Sequence, residues 1–228
     1  GLAADADFPE EDVLNIYIPL LHRLKALQEQ KGRRILVMLA APPGAGKSTL
    51  AAFLQELAGR IQMPPVTVIG MDGFHRYQDD LLKHFTERDG VAIPLVKIKG
   101  APETFDLEKL RDRIRRVAQG EQCGWPAYDR LLHNPVEDAV TVGGEIVLLE
   151  GNYLLLERPG WRELSDYADF TIFLRADEDL LRRRLVIRQV QSGKPREEAE
   201  EFVEKSDLVN AGLVLAHSKN ADLEIEIT

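Results

Sequence analysis

The sequence predicts an α/β fold in which helices cover both faces of a parallel β-sheet. Two observations carry this prediction. Short apolar segments alternate along the chain with longer segments of helical periodicity, which is typical of parallel sheets. The first apolar segment also runs directly into a glycine-containing loop and a helix start. We place the strands at residues 35–40, 66–69, 145–149, 169–174 and 223–227.

The loop after the first strand has the sequence of a phosphate-binding loop, because residues 41–49 read Ala-Pro-Pro-Gly-Ala-Gly-Lys-Ser-Thr. Gly44 and Gly46 allow N–H groups to turn inward around a polyphosphate, and the next helix directs its positive end there. Ala41 replaces the first glycine of the usual motif, which is acceptable if its φ is negative. A Gly-rich turn that binds nothing is the alternative. We predict the P-loop NTPase fold, with the nucleotide held by Pro43, Gly44, Ala45, Gly46, Lys47, Ser48 and Thr49.

Three residues suit a Mg²⁺-bound nucleotide. Lys47 is expected to reach the β and γ phosphates, and the Ser48 hydroxyl is expected to bind Mg²⁺. Glu150 follows the third apolar strand, where an acidic residue helps to hold the water shell of Mg²⁺. The alternative for Glu150 and Gly151 is a turn that only reverses the chain.

Composition excludes several classes of protein. A chain of 228 residues with 44% hydrophobic residues can form a single domain, 1–228. A net charge of −9 argues against a nucleic-acid partner, and no apolar run approaches the ~20 residues of a membrane span. The single cysteine, Cys123, excludes an internal disulfide framework, and the histidines show no metal-ligand spacing. We expect a cytoplasmic protein whose metal is Mg²⁺ brought with the nucleotide.

Residues 10–31 form the predicted N-terminal packing helix. Apolar side chains recur there at helical spacing, Pro19 is expected to kink the helix and Gly32 to end it. We assign this helix no chemistry and expect it to shield the first strand.

Asp72 follows the second strand and should emerge at the same sheet edge as the phosphate-binding loop. A carboxylate at this edge can accept a proton from an attacking hydroxyl. The alternative is an Asp that caps a turn before Gly73. His75 on its own suits a structural or substrate-contacting role better than catalysis.

Three later segments follow Asp72, and two of them offer substrate contacts. Residues 76–99 are expected to contain a short helix near 79–85 followed by a loop. Asp106 is a candidate N-cap of a helix over 107–117, and Glu103 and Asp106 are also candidate acceptors for substrate hydroxyls. Residues 123–134 read as a loop of stacking and hydrogen-bonding groups that suits a small-molecule pocket or, alternatively, supplies packing anchors. Its candidate contacts are Tyr128, Asp129 and His133.

The helix over 178–191 contains arginines that can be sorted by spacing. Arg182 and Arg183 have acids four residues earlier, so helix-surface pairing explains them. Arg184 and Arg188 lie one turn apart without such an acid, so they are candidates for phosphate contact, the alternative being a solvated cationic face. With the Gly/Pro break after this helix, residues 182–200 are expected to form a lid.

The segment before the last strand supplies a further expectation. Loops at this position often flank the nucleotide base, so Lys219 and Asn220 are candidate nucleotide contacts.

Taken in order, these motifs resemble the P-loop small-molecule kinases that include uridine kinase, phosphoribulokinase and bacterial pantothenate kinase. Asp72-Gly73-Phe74 looks like the strand-end Asp motif of these enzymes, and Glu150-Gly151 matches their Glu-Gly. Residues 99–106 are similar to the Lys-Gly-x-Pro-Glu-x-x-Asp stretch of pantothenate kinase. Residues 126–133 look like the acceptor segment of uridine kinase. In overall pattern the chain is most similar to a bacterial subgroup described as nucleoside/nucleotide kinase-like or as fructose-transport-system kinase.

The resemblance implies an ATP- and Mg²⁺-dependent kinase acting on a hydroxyl of a nucleoside, a sugar or a pantothenate-like metabolite. It implies that Asp72 is the base, that Glu150 supports Mg²⁺ and that Lys47, Arg184 and Arg188 stabilise the transferring phosphoryl group. The alternative is a P-loop NTPase or nucleotide-sensing protein without a small-molecule acceptor. A homodimer is one option for its assembly.

Overall fold

The computed structural model describes residues 7–88 and 90–227. Within these residues the strands are β1 (Ile35–Ala40), β2 (Val66–Gly70), β3 (Phe85–Arg88), β4 (Val91–Pro94), β5 (Cys123–Asp129), β6 (Asn134–Val142), β7 (Ile146–Gly151), β8 (Phe170–Ala176) and β9 (Leu223–Ile227). The helices α2 to α5 are Lys47–Arg60, Gln78–Lys83, Leu107–Ala118 and Glu178–Gln191. Two helices contain a π-helical segment. These are α1 (Glu10–Asp12, π Val13–Tyr17, Ile18–Lys31) and α6 (Arg196–Phe202, π Val203–Asp207, Leu208–His217).

The central sheet is parallel and has the order β2-β7-β1-β8-β9. These are the five strands that the sequence predicts, so the predicted fold class is confirmed. Every residue of β1 and β7 is buried, and successive residues of β1 belong to the two apolar cores on opposite faces of the sheet. The apolar runs of the sequence therefore reflect burial on both faces.

The register of the sheet positions its carboxyl edge. Glu150, near the end of β7, lies opposite Leu39 of β1 on one side and opposite Gly70 of β2 on the other. The loop after β1 and the turn after β2 therefore emerge on either side of Glu150.

The N-terminal helix ends at Gly32, as predicted, with a left-handed φ of 60°. Its irregularity begins before Pro19, in the π-helical segment Val13–Tyr17. Pro19 then lies in the first turn of the α-helical segment. A π-helical turn is a usual way to accommodate such a break in the hydrogen-bond ladder.

Two antiparallel hairpins replace predicted loops. Within segment 76–99 the short helix predicted near 79–85 is present as Gln78–Lys83. The predicted loop after it is instead a hairpin in which β3 pairs with β4. β5 pairs with β6, so most of segment 123–134 is a strand and not a loop. The pairing of β5 shifts between Trp125 and Ala127, at a proline that has no N–H to donate. This irregularity explains why the segment does not read as a strand.

Among the described residues, the structure contains no helix that is both long and apolar enough to cross a membrane.

Candidate active site

The loop between β1 and α2 has the backbone conformation that a phosphate-binding loop needs. Gly44 and Gly46 have φ values of 87° and 91°, which L side chains rarely adopt, whereas Ala41 is not among the residues with positive φ. Because α2 begins at Lys47, the first amides of this helix have no intrahelical acceptor and are available to an anion. The replacement of the first motif glycine by Ala41 thus introduces no left-handed strain.

Helix α5 lies directly against this loop. The positive φ of Gly44 requires glycine, and a Cβ there would also approach Leu185 Cγ to 3.0 Å, which is a tight contact. A Cβ at Gly46 would lie 4.0 Å from Arg184 Nη1. The Arg184 side chain is exposed and makes no hydrogen bond or ion pair with any described residue. Its charge is therefore available beside the loop.

Glu150 is 9% exposed and lies between the side chains of the loop. Ser48 Oγ donates a hydrogen bond of 3.0 Å to Glu150 Oε1, and Lys47 Nζ lies 3.8 Å from Glu150 Oε2. Oε2 is buried and has no hydrogen-bond partner. Burial raises the pKa of Glu150, and Asp72 raises it further, although Lys47 and Ser48 act to lower it. A hydroxyl beside a carboxylate with an unpaired buried oxygen fits a Mg²⁺ ion that retains several waters.

Asp72 lies in the short 3-10 helix Met71–Phe74 that follows β2. Burial acts to raise the pKa of the Asp72 carboxyl, but the positive charges of His75, which is protonated only at acidic pH, of Lys47 and of two arginines outweigh it. The pKa is therefore lowered. The next residue is Gly73, where a Cβ would meet the Pro126 carbonyl oxygen at 2.0 Å. Only glycine allows the β5–β6 hairpin to approach this closely.

His75 packs between Phe105 and Tyr128, with ring centroids 4.0 Å and 5.0 Å away. His75 Nδ1 lies 2.9 Å from the Asp72 carbonyl oxygen. Because a carbonyl oxygen can only accept, we assign the hydrogen to Nδ1, which leaves Nε2 as an acceptor. Burial lowers the pKa of His75, so its ring is neutral at neutral pH.

A cavity of about 200 Å³ brings together groups from several elements: Asp72, Tyr128, Arg130 and Glu150 are among its lining residues. A second cavity, of about 270 Å³, is lined by His75 and Asp106 among others. Gly73 lines both cavities.

The residues predicted to contact the acceptor lie in different parts of the structure, and only some of them line a cavity. Asp106 caps α4 by accepting from the Lys109 N–H at 3.1 Å, as predicted, and also lines the second cavity. Glu103 lies 4.0 Å from a guanidinium nitrogen of Arg158. Of the hairpin residues, Tyr128 lines a cavity.

Two hairpin residues do not line either cavity. Asp129 accepts hydrogen bonds from the N–H groups of Leu131 and Leu132, and these bonds lower the pKa of its carboxyl. His133 is exposed at the hairpin tip with a φ of 51°. The prediction that residues 123–134 form one loop is wrong, because most of the segment is strand. Asp129 stabilises the turn and His133 is exposed there, and their contact with an acceptor stays a prediction.

Pairing across the arginine helix differs in part from the prediction. Arg182 pairs with Glu178 at 2.5 Å, as predicted. Arg188, expected to lack an acidic neighbour, lies 3.4 Å from Asp207 of α6. This contact joins residues that are distant in sequence, so spacing within α5 could not reveal it. Arg188 nevertheless contributes to lowering the pKa of Asp72.

Lys219 is held by polar contacts outside the phosphate-binding loop. Its ammonium donates to the Arg162 carbonyl at 2.7 Å and to Ser165 Oγ at 2.8 Å. These contacts favour a structural role over the predicted contact with a nucleotide base. Asn220 is exposed beside it.

Two cations near the cavity were not singled out from the sequence. Arg130 lines the cavity with Asp72, and its charge acts on the pKa of both Asp72 and Glu150. Lys99 has its ammonium 5.2 Å from the centroid of the Tyr128 ring. The sequence gives one indication of a role for Arg130, which is its place in an aromatic-rich segment. Its place in the cavity depends on how the hairpin folds, which the sequence pattern does not reveal.

Residues 36–226 match the profile described as "PRK: Phosphoribulokinase / Uridine kinase family". The chain belongs to this family. It is 43% identical over 230 residues to the uncharacterized protein YggC of Escherichia coli K12, covering all of this chain and 93% of that protein. It is 29% identical over 232 residues to the "Putative uridine kinase C227.14" of Schizosaccharomyces pombe, covering 99% of this chain and 95% of that protein.

A solved structure is similar over most of the chain. It is the "putative fructose transport system kinase" of Silicibacter sp. TM1040, with a TM-score of 0.77 and 32% identity, covering 89% of this chain and 98% of that one. Family membership makes the protein an ATP-dependent phosphotransferase with an alcohol group as acceptor. The P-loop kinase fold and the resemblance stated from the motifs are thereby confirmed.

Proposed function

We propose that the protein binds ATP with Mg²⁺ and transfers the γ-phosphoryl group to a hydroxyl of a nucleoside, a sugar or a pantothenate-like metabolite. One observation carries the proposal. Asp72 and Glu150, from the ends of neighbouring strands, line one cavity, and Glu150 also contacts Lys47 and Ser48 of the phosphate-binding loop. An acceptor in this cavity would lie between a carboxylate and the nucleotide.

Asp72 would orient the acceptor hydroxyl and take its proton as the new O–P bond forms. Its lowered pKa keeps it ionised at neutral pH, as a proton acceptor must be. Lys47, Arg184 and Arg188 would stabilise the negative charge on the transferring group. Three observations support these roles: Lys47 lies in the loop near Glu150, Arg184 lies beside Gly46, and the charge of Arg188 acts on Asp72.

Ser48 and Glu150 would hold the Mg²⁺ ion, directly or through its waters. Bound there, Mg²⁺ would neutralise charge on the β and γ phosphates. The backbone of residues 43–49 would surround the phosphates, as its conformation allows.

His75 and Tyr128 would bind the acceptor beside Asp72. The Nε2 acceptor of His75 suits a second hydroxyl of the substrate, and the Tyr128 ring adds an apolar surface next to it. Asp106, which lines the adjoining cavity, would contact a longer acceptor.

A screen of nucleosides, sugars and vitamin precursors for ATP consumption, with mass-spectrometric identification of products, tests the proposal. We expect one or a few compounds to accelerate ADP release and to gain one phosphate. Slow hydrolysis that no compound accelerates would instead favour an NTPase or nucleotide-sensing protein.

Asp72→Asn tests the role of the carboxylate. We expect kcat to fall by about 10²- to 10⁴-fold, the usual contribution of a positioned base, with the calorimetric Kd for ATP largely unchanged. Asp79→Asn, at an exposed position of α3, is the matched control. Full turnover in Asp72→Asn with the true acceptor would refute the assignment.

A further inference from the structure

Two cations near the cavity, Arg130 and Lys99, form no ion pair with a carboxylate of the described residues, although the charge of Arg130 acts on Asp72 and Glu150. Arg130 is exposed on the β5–β6 hairpin and lines the cavity that contains Asp72. It makes no hydrogen bond or ion pair with any residue that the structure describes. The chain as a whole has a net charge of −9, so a free guanidinium at this position is not part of a generally basic surface.

Lys99 adds a second such charge. Its ammonium donates to Gln78 Oε1 at 2.7 Å and to the His133 carbonyl at 2.9 Å, and both acceptors are uncharged. Burial lowers the pKa of Lys99, which reflects a charge taken out of water without an anion nearby. The charges of Lys99 and Arg130 both act on His75, so the two cations lie around the same ring.

The phosphates of the nucleotide have a separate set of cations. Lys47 and Arg184 lie at the phosphate-binding loop, and Arg188 lies on the adjoining helix. Arg130 and Lys99 come instead from elements that follow β2 and surround Tyr128 and His75. Lys99 is partly buried without an anionic partner, which is unfavourable, and Arg130 lines the cavity without an ion pair to any described residue. An anion on the second substrate best explains both positions.

We propose that the phosphoryl acceptor carries an anionic group, a carboxylate or a phosphate monoester, which binds Arg130 and Lys99 while its hydroxyl lies at Asp72. The inference rests on the proposed function and narrows its substrate class. The Arg130 guanidinium can bind either anion through two parallel hydrogen bonds, and Lys99 supplies a second charge. Uncharged nucleosides and sugars would leave both cations unpaired.

Paired acceptors test this inference. Each pair shares its carbon skeleton, and the anionic member carries a phosphate or a carboxylate where the neutral member has a hydroxyl. The pairs are uridine and uridine 5′-monophosphate, ribose and ribose 5-phosphate, fructose and fructose 6-phosphate, and pantothenol and pantothenate. We expect ATP-dependent phosphorylation of the anionic members, with at least 10-fold higher kcat/KM than for their neutral partners. Preference for the phosphates or for pantothenate distinguishes the two anions.

The variant Arg130→Gln tests whether the Arg130 guanidinium binds the anionic group of the acceptor. We expect the KM of the best anionic acceptor to rise about 10- to 100-fold, as for loss of a charged hydrogen bond, with the KM of ATP changed less than about threefold. Arg130→Lys should restore part of the loss because it retains the charge. Arg60→Gln, at the far end of α2 from the phosphate-binding loop, is the matched control.

The outcomes that would contradict the anion site differ from those that would contradict the proposed kinase function. Phosphorylation confined to neutral acceptors, with the same KM in Arg130→Gln, would refute the anion site and leave the kinase proposal intact. A rise in the KM of ATP alone would assign Arg130 to the nucleotide and would also refute the inference. Absence of transfer to every compound in a broad screen would refute the proposed function itself.

Discussion

Glu150 lies in surroundings that oppose its ionised form. Its side chain is buried, one carboxylate oxygen lacks a hydrogen-bond partner, and the nearby charge of Asp72 adds repulsion. Lys47 is near, but at 3.8 Å it offsets these effects only in part. The residue that we assign to Mg²⁺ should therefore destabilise the free protein.

Glu150→Gln should make the free protein more resistant to heat at neutral pH while abolishing turnover. The raised pKa of Glu150 means that the folded state binds more protons than the unfolded state between about pH 4.5, the usual value for Glu, and the higher pKa of the folded state. Stability of the wild type due to this group therefore falls as pH rises through that window. The change in melting temperature should be largest at pH 7–8 and should shrink towards pH 4.5.

Glu145→Gln is the control for this comparison, since Glu145 is exposed just before the same strand. Melting curves at several pH values, measured without Mg²⁺, are the readout. An equal shift of both variants at all pH values would contradict the assigned cause.

Single residues differ in how far sequence could predict them. The Asp106 cap depends on a contact with Lys109, three residues away, and was predicted. The position of Glu150 follows from the end of an apolar strand. Arg130 became visible as part of the site only with the hairpin folded against Gly73. Roles that depend on distant contacts require the tertiary structure.

Among the elements, the β5–β6 hairpin positions Tyr128 and Arg130 and is anchored by Trp125. Its indole Nε1 donates a hydrogen bond of 2.8 Å to the Gly70 carbonyl at the end of β2, and its ring packs against Phe74. The anchor thus connects the proposed acceptor site to the strand that precedes Asp72.

Trp125→Phe should destabilise the protein by about 2 to 4 kcal/mol, because the half-buried Gly70 carbonyl loses its partner and a cavity is left beside the hairpin. For a chain of this size the melting temperature should fall by roughly 5 to 15 °C. The KM of the acceptor should also rise, since the hairpin is held less firmly.

Leu131→Ala tests the same hairpin at a residue that is 92% exposed and should leave the melting temperature unchanged. Calorimetry and acceptor kinetics on both variants provide the comparison. Wild-type stability in Trp125→Phe would show that the hairpin does not depend on this anchor.

The two hairpins are the elements that sequence did not predict. Most of β6 is exposed on both faces, so it lacks the alternation of a half-buried strand, and β5 contains Pro126 at an irregular pairing. In contrast, β1 and β7 are buried throughout and were predicted. Periodicity reports burial, and strands with little burial give a weak signal.

For the whole molecule, the nucleotide site should determine stability as well as activity. ATP with Mg²⁺ at about 100 times its Kd should stabilise the folded state by about 2.7 kcal/mol and raise the melting temperature by roughly 5 to 10 °C. Lys47→Ala should lose both this shift and turnover, whereas Lys25→Ala, on α1, should retain them. Calorimetric ATP binding that is unchanged in Lys47→Ala would contradict the phosphate-binding loop assignment.

The architecture was predictable at this scale because its determinants are local. Apolar runs define the parallel strands, and the conformations of Gly44 and Gly46 follow from the loop sequence. The order of the strands in the sheet, in contrast, could not be predicted from local sequence patterns. That β7 lies between β1 and β2 depends on pairing between residues far apart in the chain, which periodicity does not encode.

The central position of β7 also determines when the site can form. Residue 35 of β1 pairs with residue 146, and residue 66 of β2 pairs with the same residue. During synthesis, the strands that lead to Lys47 and to Asp72 have no described partner in this sheet until β7 has left the ribosome. Such long-range pairing gives a high contact order and slow folding. The nascent chain therefore carries both halves of its catalytic apparatus unassembled until β7 has been synthesised.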